Sequence, residues 1–212
     1  MNFQVVWLSV FYFLDDAYVD FRSSPFCGGS LISDKHVLTS AYCASLYSAI
    51  YVHLGDTILG NDKDVDYNKT IEVASKYLHP DYVSESPYNV NNILEMAEPV
   101  PLDQYPNIKP VYLPERGADF TGTTATVSGW GKISSRYETS WLSELQVTVF
   151  ADDQCAEVTP SELCAGVLQG NEAPCEKYDG GPLVVSDPNA NNNATTCPPP
   201  PVSRGGHSAI DN

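Results

Sequence analysis

An all-β fold in two halves is predicted for this chain, and three observations predict it. Short runs rich in β-branched, aromatic and aliphatic residues recur between turn signals, helical periodicity is almost absent, and a stretch dense in Pro, Asp and Tyr divides the chain near its middle. Strands of this length and spacing suit a sandwich or a barrel.

The expected strands, in order, are residues 4–13, 29–32, 36–39, 50–54, 70–74, 125–128, 145–150 and 182–185. Each is bounded by Gly, Pro, Asn, Asp or Ser, the residues that favour turns. The first run is apolar enough to resemble the core of a signal peptide. It lacks a basic stretch before it and a small-x-small cleavage site after it, and it is read as a strand. Residues 40–46 and 152–156 are expected as short helices, and residues 99–119 as the connector between the halves. After Val185 the composition turns to Asn and then to four consecutive prolines, so residues 186–212 are expected to form an extended or disordered tail. The expected division is therefore an N-terminal half over 1–98, the connector, a C-terminal half over 120–185 and the tail.

At 212 residues, with 42% hydrophobic and 18% charged side chains, the chain is long enough to bury a core in one domain or two small subdomains. Eleven basic against twenty-seven acidic residues leave a net charge of −16. That balance excludes nucleic acid as the expected partner, because phosphates call for basic patches. No run approaches the roughly 20 apolar residues of a membrane helix, so no membrane partner is expected. Six cysteines and two Asn-x-Thr sequons, at Asn68 and Asn193, suit an oxidising, glycosylating compartment, and the expected location is outside the cell.

Three segments carry a resemblance: Phe26-Cys-Gly-Gly-Ser-Leu-Ile-Ser33 running through Val37-Leu-Thr-Ser-Ala-Tyr-Cys43, Val127-Ser-Gly-Trp-Gly-Lys132, and Cys175-Glu-Lys-Tyr-Asp-Gly-Gly-Pro-Leu-Val184. In this order and spacing the chain resembles the trypsin/chymotrypsin-like serine proteases. Weaker echoes at Leu54-Gly-Asp56, His79-Pro-Asp-Tyr82 and Lys109-Pro-Val-Tyr-Leu-Pro114 extend the likeness over most of residues 4–185. The resemblance implies two packed six-stranded antiparallel barrels with a cleft between them, the second barrel incomplete here. It also implies disulfides Cys27–Cys43 and Cys155–Cys164, with Cys175 left to pair with Cys197. Six cysteines allow fifteen connectivities, so this order comes from the likeness alone.

Acyl transfer in that family needs a hydroxyl nucleophile, an imidazole base, a carboxylate to orient the imidazole, and backbone donors for the oxyanion. The family's Ala-His-Cys reads Ala41-Tyr42-Cys43 here, and a phenol with a pKa of about 10 cannot shuttle protons at neutral pH as an imidazole does. The family's Gly-Asp-Ser-Gly-Gly reads Lys177-Tyr178-Asp179-Gly180-Gly181, which puts a carboxylate where the nucleophile belongs. Lys177 replaces an oxyanion glycine, and Tyr178 replaces the aspartate that captures the new N-terminus on activation. No Ile-Val-Gly-Gly activation motif is present. The triad carboxylate falls on Asn92 when the chain is aligned from upstream and on Val90 when aligned from downstream; neither is an acid. Ala173 falls near the pocket floor, and the Ser-Trp-Gly strand that lines the specificity pocket does not follow Val185.

The resemblance together with these substitutions points to an inactive homologue with no catalytic residue. Its expected partner is a protein: a protease, an inhibitor or another component of a proteolytic cascade. The competing readings are a truncated or decayed copy, a serine endopeptidase by family, and a hydrolase rewired to new residues. For the last, His36, His53, His79 and His207 all read as structural, and nothing in the sequence brings Asp179 near Asp152 or Asp153. No cofactor is expected. One acidic loop, with Asp56, Asp62 and Asp66, falls where several family members bind calcium; an ordinary solvated loop is the plainer reading.

Overall fold

The computed structural model describes residues 8–13, 27–45, 48–58, 68–80, 82, 91–130, 141–155, 162–167, 180–186 and 194–197. The first half is a closed six-stranded antiparallel barrel of β1 (Leu8–Phe13), β2 (Cys27–Leu31), β3 (His36–Ser40), β4 (Ile50–Leu54), β5 (Lys69–Leu78) and β6 (Asn91–Met96), in the order β1-β2-β3-β6-β5-β4. The second half is a five-stranded sheet of β7 (Thr124–Gly129), β8 (Ser143–Val149), β9 (Ala165–Gly166), β10 (Leu183–Ser186) and β11 (Ala194–Cys197), in the order β11-β10-β7-β8-β9. The first barrel is thus closed with six strands, and the second half is an open sheet among the described residues.

Side-chain alternation builds the barrel. In β4, Ile50, Val52 and Leu54 are buried while Tyr51 and His53 between them are half-buried, the period of two that turns one strand face inward. In β6 the inward positions are Asn92, Leu94 and Met96. Leu94 and Met96 join Ile50, Val52, Leu54, Leu31, Val37, Ile71 and the Cys27–Cys43 bridge in the larger core. The smaller core has Ala125, Val147, Val149, Leu183 and Val185 at its centre.

The structure departs from the sequence reading in several elements. β5 runs to Leu78 through an irregularity between Val73 and Ser75, which gives it a longer reach than the run at 70–74 suggested. β6 and β9 form where no strand was expected; β6 mixes Asn, Glu and apolar residues, and β9 is only two residues long. Within the expected tail, Ala194–Cys197 forms β11 and pairs with β10. Among the described residues it lies at the edge of the sheet, paired on one side by β10. The two expected helices shrink to α1 (Ala41–Ser45) and a single 3-10 turn at Asp152–Gln154. Between the sheets, residues 97–123 contain no named strand or helix. This segment packs on the barrel through buried Val100 and Ile108 and is tied to it by the N–H groups of Val100 and Val111, which donate to the carbonyls of Asp34 (2.7 Å) and Leu31 (2.8 Å).

Candidate functional site at the junction of the halves

The first and third motif segments meet where Gly28 of β2 and Thr39 and Ser40 of β3 approach Gly180 and Gly181 of the second half. β3 ends at Ser40, whose hydroxyl accepts the N–H of Cys43 (3.2 Å) and so caps the first turn of α1. Tyr42 sits in that turn, half-buried, with its ring packed against the barrel core. The Cys27–Cys43 bridge then ties α1 back to β2.

Gly180 explains why two glycines follow one another here. Its φ is +74°, and a Cβ at that position would collide with the Thr39 hydroxyl and the Gly28 carbonyl. A Cβ on Gly28 would lie 2.9 Å from the Cα of Gly181. Backbone meets backbone at this junction, and only glycine leaves room for it. Thr39 completes the contact by donating its hydroxyl hydrogen to the Gly28 carbonyl (2.8 Å).

Asn92 lies on β6 directly across from Thr39 in the ladder, on the inward face of the barrel. It is 1% exposed, and neither Nδ2 nor Oδ1 has a hydrogen-bond partner among the described residues. α1 lies against β6, so Tyr42 and Asn92 occupy neighbouring elements. Val90, the other residue offered for the third triad position, lies outside the described residues. Ala173, Cys175, Lys177, Tyr178 and Asp179 also lie outside them. Asp179 is the immediate chain neighbour of Gly180.

The remaining sequence candidates separate from this junction. Cys155–Cys164 is a disulfide at the far end of the second sheet, near β9. Cys197 ends β11. Asn68 is half-buried just before β5, and Asn193 lies outside the described residues. Of the acidic loop, Asp62 and Asp66 lie outside as well. Asp56 is 2% exposed, and its Oδ2 is paired with Nε2 of His53. No group of three His, Cys, Asp or Glu suited to a metal occurs among the described residues. The sequence reading missed the His53–Asp56 pair: their spacing of three, across the turn at Gly55, was the only available signal. Among the described residues, no helix is long and apolar enough to cross a membrane.

Comparison with known proteins agrees with the motifs and the fold. The family model described as Trypsin matches residues 16–194. The chain is 37% identical over 173 residues to a protein named venom serine protease Bi-VSP from Bombus ignitus, covering 75% of this chain and 48% of that protein. It is 34% identical over 170 residues to a venom protease from Bombus pensylvanicus, covering 75% of this chain and 68% of that one. It is 36% identical over 172 residues to trypsin-1 from Gadus morhua, covering 76% and 66%. The chain therefore spans about half the length of the first relative and about two thirds of the other two. A match over most of the chain, a barrel with its Cys27–Cys43 bridge, and glycines forced by backbone contact at the junction lead to one conclusion: this chain belongs to the trypsin family.

Proposed function

We propose that this chain does not hydrolyse peptide bonds and that it acts outside the cell as a binding protein in a proteolytic pathway. The observation that carries the reading is the set of residues at the triad positions: Tyr42, Asn92 and Asp179. A phenol, an amide and a carboxylate cannot divide the work of base, orienting acid and nucleophile. The phenol has a single oxygen and lacks the two ring nitrogens with which an imidazole takes a proton on one side while being held on the other. The amide carries no charge to stabilise an imidazolium, and a carboxylate standing in the nucleophile's place in the sequence brings a negative charge to a reaction whose transition state develops one. Removing one member of such a triad already costs several orders of magnitude in rate.

Export is supported by the disulfides Cys27–Cys43 and Cys155–Cys164, by the sequons at Asn68 and Asn193, and by relatives whose names place them in venom. A protein partner is supported by the family membership together with the loss of the reacting groups. The test is hydrolysis of a broad peptide library by the purified chain, alongside labelling by a fluorophosphonate that reacts with activated serines. Neither turnover nor labelling is expected. Turnover that disappears in Asp179→Ala would refute the proposal.

A further inference from the structure

Residues Gly55 to Ile58, which follow β4 and include none of the triad positions, make contacts that reach from the barrel to the second sheet. The Thr57 carbonyl accepts two hydrogen bonds from the other half, from Nε1–H of Trp130 (3.2 Å) and from the N–H of Leu142 (2.8 Å). Ile58 forms a β-bridge with Trp141. Trp130 is itself 5% exposed, so its N–H is satisfied away from water. On the other side, Nδ2 of Asn107 in the connector approaches the Gly55 carbonyl at 3.5 Å. One short turn therefore touches the barrel, the connector and both flanks of the segment between β7 and β8.

What holds this turn in place is also visible. Gly55 takes a φ of +89°, which turns the chain sharply at the end of β4. Asp56 then points inward, 2% exposed, with Oδ2 against Nε2 of His53 and with Oδ1 lacking a hydrogen-bond partner among the described residues. The imidazole is fixed from its other nitrogen, since Nδ1 of His53 meets the hydroxyl of Thr70 on the adjacent strand β5. Thr70, His53 and Asp56 thus form a chain from an exposed strand position to the base of the turn. A buried carboxylate held in this way depends heavily on its partner.

We propose that Gly55–Ile58 is a clasp that sets the second sheet on the barrel, and that the His53–Asp56 pair, braced by Thr70, is the pin that holds the clasp in shape. His53 and Asp56 are positioning residues: they act on the second half through Thr57. The inference is independent of whether the chain cuts peptide bonds, because no residue of the clasp or the pin stands at a triad position.

The experiment uses the full chain carrying Trp7→Phe and Trp141→Phe, so that Trp130 is the one indole reporter. In this background unfolding is expected as one cooperative transition, with Trp130 emission changing at the same midpoint as far-UV circular dichroism. His53→Ala is expected to separate the two signals. Trp130 becomes accessible to acrylamide at temperatures where the barrel is still folded, and His53→Gln, which can still donate to Asp56, restores the single transition. Trp130→Phe, followed by calorimetry in the otherwise natural sequence, removes one clasp hydrogen bond and leaves the pin; it too is expected to split the transition. The proposal is overturned if His53→Ala lowers one undivided transition with Trp130 still protected up to it, or if Trp130→Phe unfolds as a single unit. It is equally overturned if the parent itself unfolds in two independent steps.

Discussion

Replacing Asn92 with aspartate puts a carboxylate at a buried position of β6, and the structure says that this should be harmful. Asn92 is 1% exposed on the apolar inner face of the barrel, beside Leu94 and Met96 on the same strand, and no described donor reaches its side chain. A carboxylate there loses its hydration and gains nothing in return, so its pKa in the folded state must rise. Buried carboxyls rise by as much as about 3–5 units, and a rise of about 3 units at 1.36 kcal/mol each removes about 4 kcal/mol of stability at neutral pH. The sign and window follow from linkage. Below the unfolded-state pKa of about 3.9 the side chain is neutral in both states and close in shape to the amide. As pH rises, the unfolded chain ionises first, so the variant loses stability relative to the parent until the folded-state pKa is passed. Urea unfolding of both proteins at a series of pH values measures the difference directly. A difference near zero at acid pH that grows to several kcal/mol near pH 7 is expected. A difference that is small at pH 7, or the same at every pH, would refute the reasoning, since it would mean that donors do reach position 92.

Three further outcomes follow from the same structure. Opening the Cys27–Cys43 bridge by a double change to serine frees a loop with a sequence separation of 16; loops of that length contribute about 3 kcal/mol, and at about 2–4 °C per kcal/mol the melting temperature should fall by about 6–12 °C in a thermal scan. Gly180→Ala places a methyl group against Thr39 and the Gly28 carbonyl at a positive φ, and the combined clash and strain should cost about 2–4 kcal/mol in chemical unfolding while Gly117→Ala, at a similar φ but in open space, costs less. The Glu95 carboxyl is held below its ordinary range first by the hydrogen bond from Lys35 and then by that from the Tyr77 hydroxyl. Because its folded-state pKa is lowered, its contribution is present above the unfolded-state pKa and is lost as pH falls through the folded-state value. Glu95→Gln should therefore flatten the acid limb of stability slightly and leave high-salt stability nearly unchanged, as expected of a half-exposed pair.

Much of the molecule is legible in local patterns and motifs. Turn residues and strand-like runs locate most of the barrel strands, because a period of two and a preference for Gly, Pro and Asx at turns are properties of neighbouring residues. The disulfides Cys27–Cys43 and Cys155–Cys164 come with the family resemblance, as do the positions of Tyr42, Asn92 and Asp179. Less is visible where the local signal conflicts with the outcome. β6 carries Asn91, Asn92 and Glu95, residues that disfavour strands, and it forms because β3 and β5 offer it a ladder on each side. β11 is supported by β10 in the same way, inside a segment whose composition points to disorder.

Family and all-β character are each written in short contiguous stretches, so the amino-acid order alone is enough to establish them. Which residues are buried, what they touch and how the halves are joined are properties of the folded chain. Whether the Asn92 amide finds a partner, whether Asp56 faces a cation or His53, and whether Thr57 reaches Trp130 across a separation of 73 residues depend on strands and turns distant in the chain. Burial and hydrogen bonding are decided by what the fold brings alongside a residue, and no local pattern states who that neighbour will be.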